Sequence, residues 1–235
     1  MILSLPSIST YSGDIDGLVT LVSWLVLVWF FATQIMFFWL LWRFRARDGV
    51  KSQYITGKEP HLKRWIDIPH TLILLCDVVI IIAAVRVWVK VKQTLPPPDD
   101  TVRIVGQQWT WTFQHSGSDG VLDTADDVWT SDTMRVAVGK TYHFELQSKD
   151  VVHSFFVPVF RLKQDADPGR EITGWFKATQ TGTYDILCAE ICGIGHGMMG
   201  ARIVIETPEA HAAWLQQHSV VADAGATATD STAAA

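Results

Sequence analysis

Two apolar stretches decide what the first 92 residues of this 235-residue chain can become. Residues 18–42 carry no charge and few polar groups. That length exceeds the roughly 20 residues an α-helix needs to cross a bilayer. A secretory signal has a shorter apolar core and a cationic start, whereas Asp14 and Asp16 precede this one. The second stretch runs from about residue 68 to 91 and stops at Pro96-Pro97-Pro98-Asp99-Asp100. Between the two lie Arg43, Arg45, Arg47 and Lys51, then Lys63 and Arg64. Basic loops stay on the cytoplasmic side, so the sequence predicts a helical hairpin with both chain termini outside. Trp42, Trp65 and Trp88 suit interfacial anchoring. Arg86 sits where it can snorkel. Asp77 lies deeper, and a carboxylate there should face a partner protein or a water chain rather than lipid. Cys76 reads as a small apolar residue of the helix.

Past Pro98 the pattern changes to short runs rich in Val, Ile, Thr and aromatics: "VRIVGQQWTWTF", "TMRVAVG", "TYHFELQS", "VVHSFFVP", "ITGWFKAT", "GTYDILCA" and "MGARIVIE". Turn signals such as Val138-Gly139-Lys140 separate them. Seven or so strands of this kind argue an antiparallel sandwich or a Greek-key barrel. "EAHAAWLQQH" after Pro208 reads as a short helix, and the Ala/Thr-rich residues 219–235 as a disordered tail. The expected organisation is thus an outer N-terminal segment (1–17), a transmembrane hairpin (18–95, helices about 18–43 and 68–92), a β domain (96–207) and a C-terminal helix with tail (208–235). Lys and Arg do not cluster in the β domain, which excludes nucleic acid as a partner.

The chain has only three cysteines, and two of them fall in "CAEICGIGHGMM", from Cys188 to Met199. Cys192, His196 and Met199 form Cys-x3-His-x2-Met, and His153 on an earlier strand completes the ligand set of a blue-copper site. Cys188 adds a second thiolate, which lets the loop hold two copper ions bridged by both sulfurs. A disulfide between cysteines so close would be strained. Zinc would leave Met199 without a purpose, and Met198 is the alternative thioether. His115, His143, His211 and His218 lack such company and read as surface or core residues.

Together, the hairpin and Cys188, Glu190, Cys192, His196 and Met199 in the pattern Cys-x-Glu-x-Cys-x3-His-x2-Met resemble subunit II of the haem-copper cytochrome c oxidases, from the first span to Glu206. The resemblance implies a cupredoxin-like Greek-key sandwich behind a two-helix transmembrane hairpin, carrying the binuclear copper centre CuA. It implies that Glu190 offers its backbone carbonyl to copper and its carboxylate to Mg or Mn at the boundary with subunit I. "LKQDADPGR" is similar to the family segment that places Asp165 near a docking face. "GQQWTWTF" is similar to the aromatic stretch whose first Trp, here Trp109, takes the electron from the donor haem. The implied partners are subunit I, subunit III, membrane lipid and a cytochrome c or cytochrome c domain. The implied place is a bacterial inner membrane with the copper domain periplasmic, and the implied activity is oxygen reduction coupled to proton translocation.

Two departures stand out. Leu62 occupies the position, three before Trp65, where the family often carries a Glu at the inner mouth of a proton path. Residues 117–132, "GSDGVLDTADDVWTSD", add Asp119, Asp123, Asp126, Asp127 and Asp132 between two strands. This run reads as a solvated acidic hairpin or as a docking patch that steers a basic cytochrome c. Part of it resembles calcium-loop spacing, but the upstream acidic ligands are missing. A stand-alone membrane-anchored copper carrier is the alternative to an oxidase subunit. A carrier needs one anchor and one Cys. The copper-free quinol-oxidase relative does not fit the intact ligand set, and nitrous-oxide reductase needs a large second domain. No Cys-x-x-Cys-His is present, so the donor haem belongs to a separate chain.

Overall fold

The computed structural model describes residues 5–51 and 54–230, with side chains described through Ser219. They form two compact units: Asp14–Lys90, and Met1–Gly13 together with Val91–Ala235.

The first unit is the helical pair. Helix α1 (Ser12–Arg43) and helix α2 (Pro60–Trp88), the latter extended by a wider π-helical turn over Val89–Gln93, are both long and apolar enough to cross a membrane. Their large apolar side chains, among them Phe30, Ile35, Ile66 and Ile81, are exposed, as lipid- or protein-facing spans require. Trp39 stacks on Trp65 at 6.5 Å. Both helices start before the apolar runs do. Ser9 and Ser12 exchange side-chain bonds to each other's backbone N–H, which turns the chain into α1. Pro60 opens α2, at a position where its missing N–H costs nothing.

The second unit is a β-sandwich of two five-stranded sheets. One sheet is built from β1 (Asp100–Gln107), β2 (Thr110–His115), β3 (Val128–Ser131), β5 (Thr141–Ser148) and β8 (Ile172–Lys177), in the order β3-β2-β1-β5-β8. The other takes β4 (Thr133–Ala137), β6 (His153–Val157), β7 (Leu162–Ala166), β9 (Gly182–Cys188) and β10 (Gly200–Glu206), in the order β4-β10-β9-β6-β7. Alternate residues point inward: Val102 and Ile104 of β1, Tyr142, Phe144 and Leu146 of β5, and Ile203 and Ile205 of β10 are buried. Trp111, Phe113, Phe155, Phe160 and Phe176 fill the space between the sheets.

Several features depart from the reading of the sequence. The pairs β1–β5 and β4–β10 are parallel, so the sandwich is mixed rather than antiparallel. "VRIVGQQWTWTF" is a hairpin and not one strand, turning at Gln108–Trp109 without a Gly or Pro. The segment before α1 is built into the sandwich: Ile8 and Tyr11 are buried, Ser9 bridges to Ala178, and Ile8 N–H donates to Val159 O at 3.1 Å. The C-terminal helix α3 (Pro208–Asp230) continues past Ser219, through alanines with the highest helix propensity; residues 231–235 lie outside the described residues.

Helix α3 docks through Trp214, whose ring packs on His115 (5.1 Å), His211 (5.7 Å) and His218 (5.1 Å), with the Arg135 guanidinium over it. Glu206 accepts from Arg135 at 2.6 Å and faces His211 Nδ1 at 3.3 Å. His115 is therefore a core residue. Burial first, then His211 and Arg135, push its imidazole down to about 3. In an unfolded chain that ring takes a proton near pH 6.5. Between those values the unfolded chain binds a proton that the folded chain refuses. Stability is thus full above about pH 6.5 and falls, by about 1.4 kcal/mol per unit from this group, as pH drops toward 3. We expect the melting temperature of the full chain in detergent to decline over that window, and the decline to be shallower in His115→Gln. Equal slopes in the two proteins would assign the pH dependence to other groups.

Candidate metal centre

The site is assembled where β6 and β9 pair, Phe155 opposite Cys188. His153 is the first residue of β6 and fully buried; Cys188 is the last of β9; Cys192, His196 and Met199 follow on the loop that leads into β10. The loop closes on itself, since Cys188 N–H donates to Met199 O at 3.2 Å and Ala189 N–H to Ser154 O at 3.0 Å. His196–Met198 is a short 3-10 turn that lays His196 and Met199 back toward the sulfurs. Gly193 sits at φ 120°, a conformation that only glycine adopts without strain.

His153, Cys188 and Cys192 offer ligand atoms within 4.8 Å of one another. The two sulfurs are 3.8 Å apart and form no disulfide. Cys188 Sγ lies 4.0 Å from His153 Nδ1 and 3.3 Å from the Glu190 carbonyl. Cys192 Sγ lies 3.6 Å from His196 Nδ1 and 3.7 Å from Met199 Sδ. Each sulfur therefore has its own imidazole. Burial, then the neighbouring Cys188, push the Cys192 thiol up to about 11. A bare thiolate is disfavoured there, and a bound cation is what would hold it deprotonated. Soft thiolate and thioether donors with imidazoles fit copper. Met198, the alternative thioether, is 83% exposed, whereas Met199 is buried.

Trp109 lies against this loop. Its Nε1–H donates to Cys192 O at 3.3 Å, and Gln108 Nε2 donates to the same carbonyl at 2.7 Å. The carboxylate of Glu190 belongs to an exposed residue. Asp165, on β7, accepts from the buried Ser154 hydroxyl at 2.7 Å, which anchors β7 to β6 beside His153.

Most of the acidic insert is elsewhere. β2 is six residues long, so at about 3.4 Å per residue the insert begins roughly 20 Å along the strand from Trp109. Asp119, Asp123, Asp126 and Asp127 are held at that far end, whereas Asp132 follows β3 back and accepts from Thr110 Oγ1 at 2.8 Å, beside Trp109. Asp123 is paired with Arg103 at 2.6 Å and accepts from Gln114. Asp126 accepts from Ser118 and Thr124. Asp119 accepts from the Val121 N–H. Asp127 is buried, holding Gln114 and the Asp123 N–H. A buried carboxylate cannot belong to a docking face, so Asp127 leaves that set. The cation set against Asp123 is the chain's own Arg103.

Two residues that brace this cluster escape a reading of the sequence. Asp150 Oδ1 is 2.8 Å from His153 Nε2, and its Oδ2 accepts the Gln108 N–H at 2.7 Å. The carboxylate thus turns His153 so that Nδ1 faces Cys188. An acid three residues before a ligand histidine was the available signal. Gln108 gives none.

A β-sandwich behind two membrane-length helices, with thiols, imidazoles and a thioether gathered on one loop, defines a membrane-anchored, cupredoxin-like metalloprotein. A family profile described as cytochrome c oxidase subunit II, periplasmic domain, matches residues 100–207. The alternative cytochrome c oxidase subunit 2 of Bradyrhizobium diazoefficiens is 30% identical over 238 residues, spanning 92% of this chain and 84% of that protein. The cytochrome c oxidase subunit 2 of Cereibacter sphaeroides is 27% identical over 243 residues, 89% of this chain and 77% of its own. Among solved structures, the periplasmic domain of subunit II of cytochrome oxidase from Bradyrhizobium japonicum matches at a TM-score of 0.48 and 27% identity, over 53% of this chain and 96% of that one. The chain belongs to the cytochrome c oxidase subunit II family.

Removing the brace on His153 tests the site. Partners of this kind carry about 10- to 100-fold in metal affinity. Asp150→Ala should lose copper to a competing chelator at a concentration lower by about that factor, with the melting temperature of the sandwich little changed. Equal retention would show that Asp150 does not orient the ligand.

Proposed function

We propose that this chain is the electron-accepting subunit of a haem-copper oxidase, taking electrons from a c-type cytochrome and passing them toward a haem of the catalytic subunit, where oxygen is reduced to water with proton translocation. The observation that carries this reading is the pair of sulfurs 3.8 Å apart, each with its own imidazole. A mononuclear blue-copper site has one thiolate. Here the donors divide into two groups around a shared pair of sulfurs, which suits a binuclear copper centre. His153, Cys188, Cys192, His196, Met199 and the Glu190 carbonyl would hold it, and the metal would supply one-electron redox chemistry at low reorganisation cost.

The chain's own residues do the rest. The two sheets hold the donors rigidly, and Trp111, edge-on to His153 at 5.9 Å, keeps water from that ligand. An electron arriving at the 38% exposed Trp109 indole meets the ligand loop through one hydrogen bond, to Cys192 O. The Glu190 carboxylate is free to reach Mg or Mn, with further oxygen ligands coming from subunit I. The implied setting is a bacterial inner membrane with the sandwich periplasmic and subunits I and III alongside. A groove between α1 and α2 lined by Gln34, Cys76 and Asp77 favours an assembled subunit over a stand-alone carrier, since a carboxylate at that depth calls for protein or water.

Copper counting tests the reading. The full chain, purified in detergent and loaded with copper, should hold two ions per chain, and Cys188→Ser should abolish the two-ion spectrum. One ion per wild-type chain with a simple blue-copper spectrum would sink the binuclear site. In the assembled oxidase, Trp109→Ala should slow reduction by a c-type cytochrome at least about tenfold, a barrier increase near 1.4 kcal/mol, while the copper spectrum stays intact. An unchanged rate would remove Trp109 from the path.

A further inference from the structure

Helix α3 is held by one small patch. Trp214 and Leu215 pack with Val128 of β3 in a cluster separate from the main core. On another side an open cleft of about 860 Å³ lies between the helix and Asp100, Lys140 and residues 117–120. The strands beneath α3 are β3 and β4, and each is the last strand of its sheet. A helix laid there covers edges that could otherwise pair with another chain. The patch itself is aromatic and basic. The His115 ring stands edge-on to Trp214, with Nε2 3.3 Å from Thr130 Oγ1, and the Arg135 guanidinium lies 5.2 Å over the same indole. His211, on α3, stacks on Trp214.

We propose that α3 is an acid-released cover: a proton on His115, and then one on His211, lifts the helix off β3 and β4 while the sandwich stays folded. Nothing in the release involves the loop from Cys188 to Met199. Docked, His115 has no room for a charge. It is 3% exposed, and its charged neighbour is the fixed cation of Arg135. Burial first, then His211 and Arg135, push its imidazole down to about 3. Once α3 leaves, the ring meets water and regains its ordinary value near 6.5. His211 is shifted the same way, by burial first, against the pull of Glu206 and Asp100. Both rings therefore favour release as pH falls. The surrounding charges do not reverse that sign. Arg135 is bonded to Glu206 at 3.0 and 2.6 Å, and Lys140 is set against Asp100 at 3.6 Å. All four belong to the sandwich, so these pairs persist when the helix lifts. His218 donates from Nδ1 to the helix's own Trp214 carbonyl at 2.8 Å. Glu209 and Asp119 line the cleft as exposed residues. Burial keeps Tyr142, edge-on to His211, in its neutral form. Through His115 alone, each pH unit between about 6.5 and 3 shifts the equilibrium toward release about tenfold. Release opens the outer edges of β3 and β4 to a strand of another chain.

Hydrogen exchange of the full chain in detergent tests this, read as protection factors so that the pH dependence of intrinsic exchange cancels. Between pH 7.5 and 5, protection of residues 210–218 should fall at least about 30-fold, while β5 and β9 keep theirs. His115→Gln retains a donor for Thr130 but takes no proton, and should remove about 30-fold of that fall; His115→Asn serves if that chain does not fold. Trp214→Ala should leave α3 unprotected even at pH 7.5, with the sheets still protected. The inference is overturned if α3 keeps its protection down to pH 5, or if α3 and the strands lose theirs together, which would be global unfolding. It is also overturned if the His115 variant follows the wild-type pH curve, or if Trp214→Ala unfolds the sandwich.

Discussion

Two thiols held 3.8 Å apart on one loop resist being there. Each is drawn out of water, and burial with its neighbour drives the Cys192 thiol upward, because a second negative charge so close would be unfavourable. What keeps them together is backbone. β9 and β10 pair in register up to Leu187 opposite Gly200, and the bond from Cys188 N–H to Met199 O then closes the loop at its neck. Once the neck is fixed, the span from Cys188 to Met199 has room for little else than a compact turn. The positive φ of Gly193 and the 3-10 turn at His196 bring the remaining donors back over the sulfurs.

The two sheets divide the work. β6, β9 and the loop into β10 supply every candidate donor, all from one sheet. The other sheet supplies the braces: the β1–β2 hairpin puts Gln108 and Trp109 on the Cys192 carbonyl. Asp150, in the crossing from β5 to β6, ties that hairpin to His153. The ligand loop is therefore held from both faces of the sandwich. Gly106, in β1, has no room for a side chain, since a Cβ there would sit 3.0 Å from the His153 ring. The close approach of β1 to His153 lets the second sheet brace a cluster to which it contributes no candidate donor.

The clustering of the candidate donors was legible because they are local in sequence. Four of their side chains fall within one loop, and their spacing alone specifies soft, paired coordination. His153 was legible only by completing that set. The braces were not legible, because a contact such as Asp150 to Gln108 N–H joins residues far apart in sequence and leaves no mark on composition. The β1–β2 turn was hidden for a related reason: it lacks Gly and Pro, and the contacts that hold Gln108 and Trp109 are tertiary. Charge was legible in the acidic insert but direction was not. Nothing in "DTADD" tells that Asp127 turns inward to Gln114 while Asp123 meets Arg103. The same limit applies to His115, which reads as an ordinary polar residue until β2 carries it under α3.

Around the site Asp150, Asp132 and the Cys192 carbonyl are all bonded, while the buried Trp111 indole N–H, beside His153, is without a hydrogen-bond partner among the described residues. In the helical pair, Asp77 lies near the middle of the apolar run of α2 and, with Thr33, Gln34 and Cys76, lines one groove between the helices. A carboxylate at the centre of a bilayer costs about 2.5–3.5 kcal/mol on insertion scales. Lipid tails offer nothing to hydrogen-bond it. The energetics therefore differ at the two ends of the molecule. The loop from Cys188 to Met199 is shaped by contacts within this chain, whereas a carboxylate at the depth of Asp77 calls for protein or water rather than lipid.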